Sequence, residues 1–138
     1  MISLNTVYQF VDDQERIRII HIDHKNDICA YVCIEQNLSM PSIEHISTLE
    51  KEYENHNIVE VLDPYFRVKS EKALSATETR KRDKFWQIVD KNWESRKGDI
   101  IDKKIRMRIL QEISISEKIP LMTIRRIFSR FWQRGMSK

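Results

Sequence analysis

The residues whose types and spacing could do chemistry lie near the C-terminal end of the 138-residue sequence. There Ile124, Ile127, Phe128 and Phe131 recur at helical spacing and predict one buried helix face. At about 100° per residue the opposite face holds Met122, Arg126, Ser129 and Gln133, flanked by Thr123, Arg125 and Arg130, with Arg134 just beyond. No acidic residue interrupts it. Guanidinium forks match guanine edges, a Gln amide matches adenine, and Thr or Met can touch a thymine methyl. Upstream, Lys103, Lys104, Arg106 and Arg108 stand at the start of another helix. They suit phosphate oxygens, contacts that give affinity without sequence information. The chemistry implied is recognition of double-stranded DNA.

Bond-making chemistry finds no comparable set of residues. The two glycines, Gly98 and Gly135, cannot build a phosphate-cradling GxxxxGK[ST] or GxGxxG loop. No Ser or Cys lies in a nucleophile elbow. Glu50, Glu52 and Glu54 read as a solvated face. Cys29 and Cys33 fall on one face of a predicted strand about 13 Å apart, too far for a disulfide with each other. His21, His24, His45 and His56 add no tight ligand cluster and are expected at the surface. The chain is therefore expected to be no enzyme, to need no cofactor or metal, and to bind no small-molecule substrate.

Two kinds of element must position the basic residues. Residues 4–11, 16–23 and 28–35 are rich in β-branched and aromatic side chains. They are separated by the polar quartets 12–15 and 24–27, which suit hairpin turns. Strands are also expected at 43–49 and 58–62, with a helical turn at 49–56. Alternation in the second strand is not clean, because Arg18 stands between Ile17 and Ile19 and Ile20 follows. A small barrel that buries both strand faces accounts for this better than a single amphipathic sheet. Beyond residue 77 the period changes to 3.6. Phe85, Trp86, Val89 and Trp93 mark a first helix, ended at Gly98 and Asp99. Ile105, Ile109, Leu110 and Ile113 mark a second over 102–115. The stretch 116–120 (SEKIP) breaks the pattern, and Pro120 suits the start of the third helix. Trp86, Trp93 and Trp132 lie on or beside apolar stripes and are expected in the core. A tight break before the last of three helices describes a helix-turn-helix unit. The fold class is α+β: a β-rich, barrel-like domain over 1–66, a linker over 67–77 and a helix-turn-helix domain over 78–138.

Charge divides along the same line. Residues 1–70 carry 6 Lys/Arg against 12 Asp/Glu, whereas residues 71–138 carry 18 against 9. Such asymmetry points to a polyanion partner for the basic part. The acidic β part should repel DNA at long range, so protein contacts are expected of it. No apolar run approaches the roughly 18 residues a membrane span needs. The N-terminus MISLNTVYQF has no signal-peptide layout. A cytoplasmic, nucleoid-associated protein is expected.

The run Arg130-Phe131-Trp132-Gln133-Arg134-Gly135-Met136, closing a helix-turn-helix, resembles the N-terminal region of TnsB. TnsB is the DDE transposase subunit of Tn-seven-like elements, a relative of Mu transposase and the retroviral integrases. The opening Asn5-Thr6-Val7-Tyr8-Gln9-Phe10 with Arg16-Ile17-Arg18-Ile19-Ile20 resembles that family's first hairpin, and Asp63-Pro64-Tyr65 its tripeptide after the β segment. Lys81-Arg82-Asp83-Lys84-Phe85-Trp86 is placed like the first helix of its DNA-binding domain. The resemblance covers essentially the whole chain. It implies a small β-barrel followed by a helical domain that binds repeats in transposon ends, with Met122, Thr123, Arg125, Arg126 and Arg130 facing DNA. It also implies other transposition proteins or transposase subunits as partners. The family's Mg²⁺-dependent Asp-Asp-Glu core lies downstream of this region, so the sequence is expected to be part of a longer protein, and no catalytic residue carries over. Pro120 stands where the family's recognition helix has a small hydroxyl cap. The rival expectations are a free-standing helix-turn-helix transcription regulator and a protein-interaction module of a recombination complex.

Overall fold

A computed structural model describes residues 1–65 and 75–137. Five antiparallel strands come first: β1 (Val7–Phe10), β2 (Arg16–Asp23), β3 (Ile28–Cys33), β4 (Ser42–His45) and, after helix α1 (Ile46–Glu54), β5 (Ile58–Glu60). They form one sheet in the order β4-β3-β2-β1-β5. Polar turn residues close the hairpins as their types demand. Asp13 accepts a hydrogen bond from the Glu15 amide, Asp23 accepts from the Asn26 amide and side chain, and Gln14 and Asp27 take positive φ. The segment expected as a strand over 43–49 is instead strand only to His45. There the Asp27 carboxylate accepts from both the amide and the hydroxyl of Ser47, capping α1 from a distant turn. Those two bonds hold the Asp27 carboxyl below its ordinary pKa.

Three helices follow: α2 (Ala76–Ile100), α3 (Lys103–Glu117) and α4 (Leu121–Gln133). Of the expected linker, residues 67–74 lie outside the described residues. Ser75 to Thr77 form the cap and first turn of α2, where Ser75 and Glu78 make a reciprocal capping box. Gly98 does not end α2, contrary to expectation. The helix runs through it to Ile100, because Ile100 and Ile101 are buried and the next cap is Asp102, which accepts from the Lys104 amide at 2.9 Å.

The two faces of the sheet bury against different partners. Side chains alternate along a strand, so Tyr8, Ile17, Ile19 and Cys29 pack with Ile46 and Leu49 of α1. On the other face Ile20, Ala30 and Val32 share one core with Val89, Trp93, Leu110, Ile124, Phe128 and Trp132 of the helices. Ile19 and Ile20 bury on opposite faces by ordinary strand alternation, and a register shift follows between Ile19 and His21. This explains the untidy pattern of β2: the helical domain itself covers the second face. Burial raises the thiol pKa of Cys29 to about 11 and of Cys33 to about 12, so both stay protonated at neutral pH. Among the described residues no helix is long and apolar enough to cross a membrane, and no group of three His, Cys, Asp or Glu could hold a metal ion.

Candidate nucleic-acid interface

α3 and α4 are joined by Lys118, Ile119 and Pro120 alone. Lys118 turns the chain with a left-handed backbone (φ 57°), and the Ile119 amide and carbonyl are both tied to Ser114, at 3.1 and 2.5 Å. Pro120 occupies the cap position of α4 rather than its first turn, and its carbonyl accepts from the amides of Thr123 and Ile124. The turn between α3 and α4 is therefore three residues long and fixed by backbone and Ser114 hydrogen bonds. The angle between the helices is fixed by aromatic packing: Trp93 meets Phe131 and Trp132 at ring distances of 6.2 and 5.6 Å, and Trp86 meets Phe131 at 6.0 Å.

α4 is wedged between α2 and α3 on one side and strands β2 and β3 on another. Only one strip remains for a ligand. Arg126 and Arg130 are exposed on it, Met122 is 47% exposed at its N-terminal end, and Thr123 and Arg125 are half-buried at its margins. Lys103, Lys104 and Arg108 are exposed on α3 as expected.

Three residues expected on this face are elsewhere. Ser129 is 2% exposed, because the flank of α4 that carries it packs against the sheet; a helix wheel drawn from one apolar stripe does not anticipate a second buried side. Arg106 is 7% exposed, with Nε donating to the Ile100 carbonyl at 2.8 Å and Nη2 to the Ile101 and Pro41 carbonyls at 2.9 Å. It satisfies the carbonyls left over at the end of α2, and burial lowers its pKa from the ordinary value. Gln133 turns inward too: its Nε2 donates to the Cys33 and Gln36 carbonyls at 3.0 and 2.6 Å.

Gln133 belongs to a clamp between the two domains that sequence reasoning missed. Arg18, wholly buried, donates from Nη1 and Nη2 to the two carboxylate oxygens of Asp63, each at 2.7 Å. Its Nη2 also reaches the Gln133 carbonyl at 3.2 Å, and Asn5 Nδ2 donates to the Gly135 carbonyl at 3.0 Å. Trp132 is fully buried, Arg134 stands over the Tyr65 ring at 6.0 Å, and Gly135 takes φ +103°, outside the range of ordinary side-chain-bearing residues. All four residues of the Trp-Gln-Arg-Gly run thus act in the junction between sheet and helix. The available signal was Arg18 itself, a charge inside the apolar run 17–20. A buried arginine needs a carboxylate partner, but nothing local in the sequence names Asp63.

Two family models match the chain in succession. Residues 1–64 match the model of the TnsB N-terminal SH3-like domain, and residues 82–138 match that of the TnsB second domain. No curated protein matches the chain. Two domains of one family, matched in succession on a five-stranded antiparallel sheet and the helices that follow it, establish that this chain belongs to the TnsB family of transposases and carries its N-terminal SH3-like and second domains.

Proposed function

We propose that this chain recognises the end repeats of a transposon by sequence, reading bases with α4 and so placing a separate DDE core where strands are broken and joined. The observation that carries the reading is the single exposed strip of α4, which presents Arg126, Arg130 and Met122 without an acid after a helix-turn-helix break. Packing on its other sides holds the helix rigid, so little side-chain and backbone freedom remains to be lost on binding. The first turn, with Met122 and Thr123, enters the major groove deepest, and Arg126 and Arg130 follow one and two turns later. Lys103, Lys104 and Arg108 engage phosphates. Mg²⁺ chemistry belongs in this reading to the separate core. The acidic surface around α1, on the face of the sheet away from α4, suits other transposition proteins or transposase subunits.

The test is a fluorescence-anisotropy titration of the chain against a labelled transposon-end duplex and a scrambled duplex. Preference for the end duplex, reduced about 10-fold or more by Arg126→Ala, is expected, since a bidentate base contact discriminates by about 1–3 kcal/mol. Equal, salt-sensitive binding to both duplexes reduces the face to electrostatics. Binding to neither hands the surface to a protein partner, and preference for a palindrome by a dimer points to a transcription regulator.

The two arginines of α3 should separate cleanly. Arg106→Ala removes a guanidinium from three carbonyls and is expected to cost about 2–3 kcal/mol of stability without changing the salt slope of DNA binding. Arg108→Ala is expected to leave the melting temperature unchanged and to flatten that slope by about 0.9. Thermal melts and titrations at several salt concentrations check both.

A further inference from the structure

The N-terminal part of α2 lies outside the face described above. Its first buried residue is Ile88, so the nine residues Ala76–Lys84, about 13 Å of helix, project beyond the core. Among the described residues no core cluster includes them, yet the Ser75–Glu78 capping box defines their start. Four of the five residues 80–84 are cations, and all four are exposed. Lys81 lies over the Phe85 ring at 5.6 Å, and Arg82 is 4.0 Å from Asp83. Arg80 and Lys84, one turn apart, line with Asp83 and Gln87 a groove of about 580 Å³ between α2 and the C-terminal end of α3. Lys91 and Glu117 close that groove as an ion pair at 3.9 Å. Neither Arg80 nor Lys84 is ion-paired with an acid among the described residues.

The position of this groove gives it meaning. It adjoins Glu117, the last residue of α3, which three residues separate from the start of α4. Lys103, Lys104 and Arg108 lie toward the other end of α3, which at 15 residues is about 22 Å long. The major groove is about 12 Å wide. Cations near both ends of α3 therefore stand far enough apart to meet phosphates on both sides of a groove occupied by α4.

We propose that Arg80 and Lys84, on the projecting arm of α2, form a second phosphate clamp that grips the DNA strand opposite the one held by Lys103, Lys104 and Arg108. The inference rests on the reading of α4 as the DNA-facing helix. The ligand is the sugar-phosphate backbone of a duplex, so the clamp adds affinity but no base preference. It also extends the footprint of the chain beyond the bases that α4 reaches.

The test uses the intact 138-residue chain with Arg80→Ala and Lys84→Ala combined, helicity being checked by circular dichroism. Both side chains are exposed, so the variant should fold. Affinity is expected to fall roughly 10-fold for end and scrambled duplexes alike, with the salt slope flattened by about 1.8, two phosphates' worth. Unchanged affinity and slope, while Arg126→Ala still weakens end binding, overturns the clamp and leaves the reading of α4 standing. Weakening confined to the end duplex overturns it as well, because the arm would then read bases. If the parent chain binds neither duplex, the reading of α4 fails and the clamp falls with it.

Discussion

Replacing Asp63 with alanine is expected to lower the stability of the chain by about 3 kcal/mol, and its melting temperature by roughly 10 °C. The Arg18 side chain is wholly excluded from solvent, and among the described residues Asp63 supplies its only carboxylate, through both oxygens at 2.7 Å. Without it a buried guanidinium keeps only carbonyl and amide partners from Asn5 and Gln133, which do not neutralise it. Removing one member of a buried pair costs more than the pair is worth, so Arg18→Met with Asp63→Leu should recover most of the loss. An Asp63→Ala melt within about 1 °C of the parent would show that the bridge contributes nothing. The effect also has a pH signature. The Arg18 guanidinium, bonded to Asp63, holds its carboxyl below the usual value of 3.8. A carboxyl whose folded pKa is lowered stabilises the fold above its unfolded pKa, and that stabilisation is lost as pH falls through the folded one. The gap between parent and Asp63→Ala should therefore be constant from neutrality to about pH 5 and narrow below about pH 4. Because the bridge joins the sheet to the end of α4, Asp63→Ala should weaken DNA binding as well, even though neither residue faces the DNA.

The second large effect is on binding itself. Five cations are exposed on α3 and α4, the proposed reading unit: Lys103, Lys104, Arg108, Arg126 and Arg130. If each neutralises one phosphate, affinity falls with a salt slope of about −4.5, roughly 500-fold between 50 and 200 mM salt. With Arg80 and Lys84 the slope steepens to about −6 and the loss approaches several thousand-fold. Titrations of the scrambled duplex across that range measure it directly. A slope shallower than about −2 would mean that most of these side chains remain in solvent in the complex.

Much of the architecture was readable residue by residue. The strand over 16–23 has the bounds of β2, the turns fall at their polar quartets, and the apolar stripes of the three helices point where the core lies. Those signals are local: turn chemistry, β-branched runs and a 3.6-residue period each depend on neighbours a few positions away. Asp102, which ends α2 and starts α3, was overlooked in favour of Gly98 because a glycine is the stronger breaker until burial of Ile100 outweighs it. The exposure of Met122, Arg126 and Arg130 was legible because solvent lies on their side of α4, and a wheel finds that side from the apolar one.

Residue type and order alone therefore determined an acidic β part, a basic helical part, and a family signature in Trp132 to Gly135. Only the tertiary structure decided what that signature does. Arg18 meets the Gln133 carbonyl across 115 positions, and Gln133 meets Cys33 across 100. Once α4 was pressed against the sheet, Ser129 and Gln133 became interior groups despite their polarity, and Arg106 did so where α3 meets the end of α2 and Pro41. Polar side chains are assigned to the surface by type, yet they belong inside wherever two elements meet and leave carbonyls or charges that must be paired. Which elements meet is set by packing of Ile20, Ala30 and Val32 against the helices, and no local pattern encodes that choice of partner.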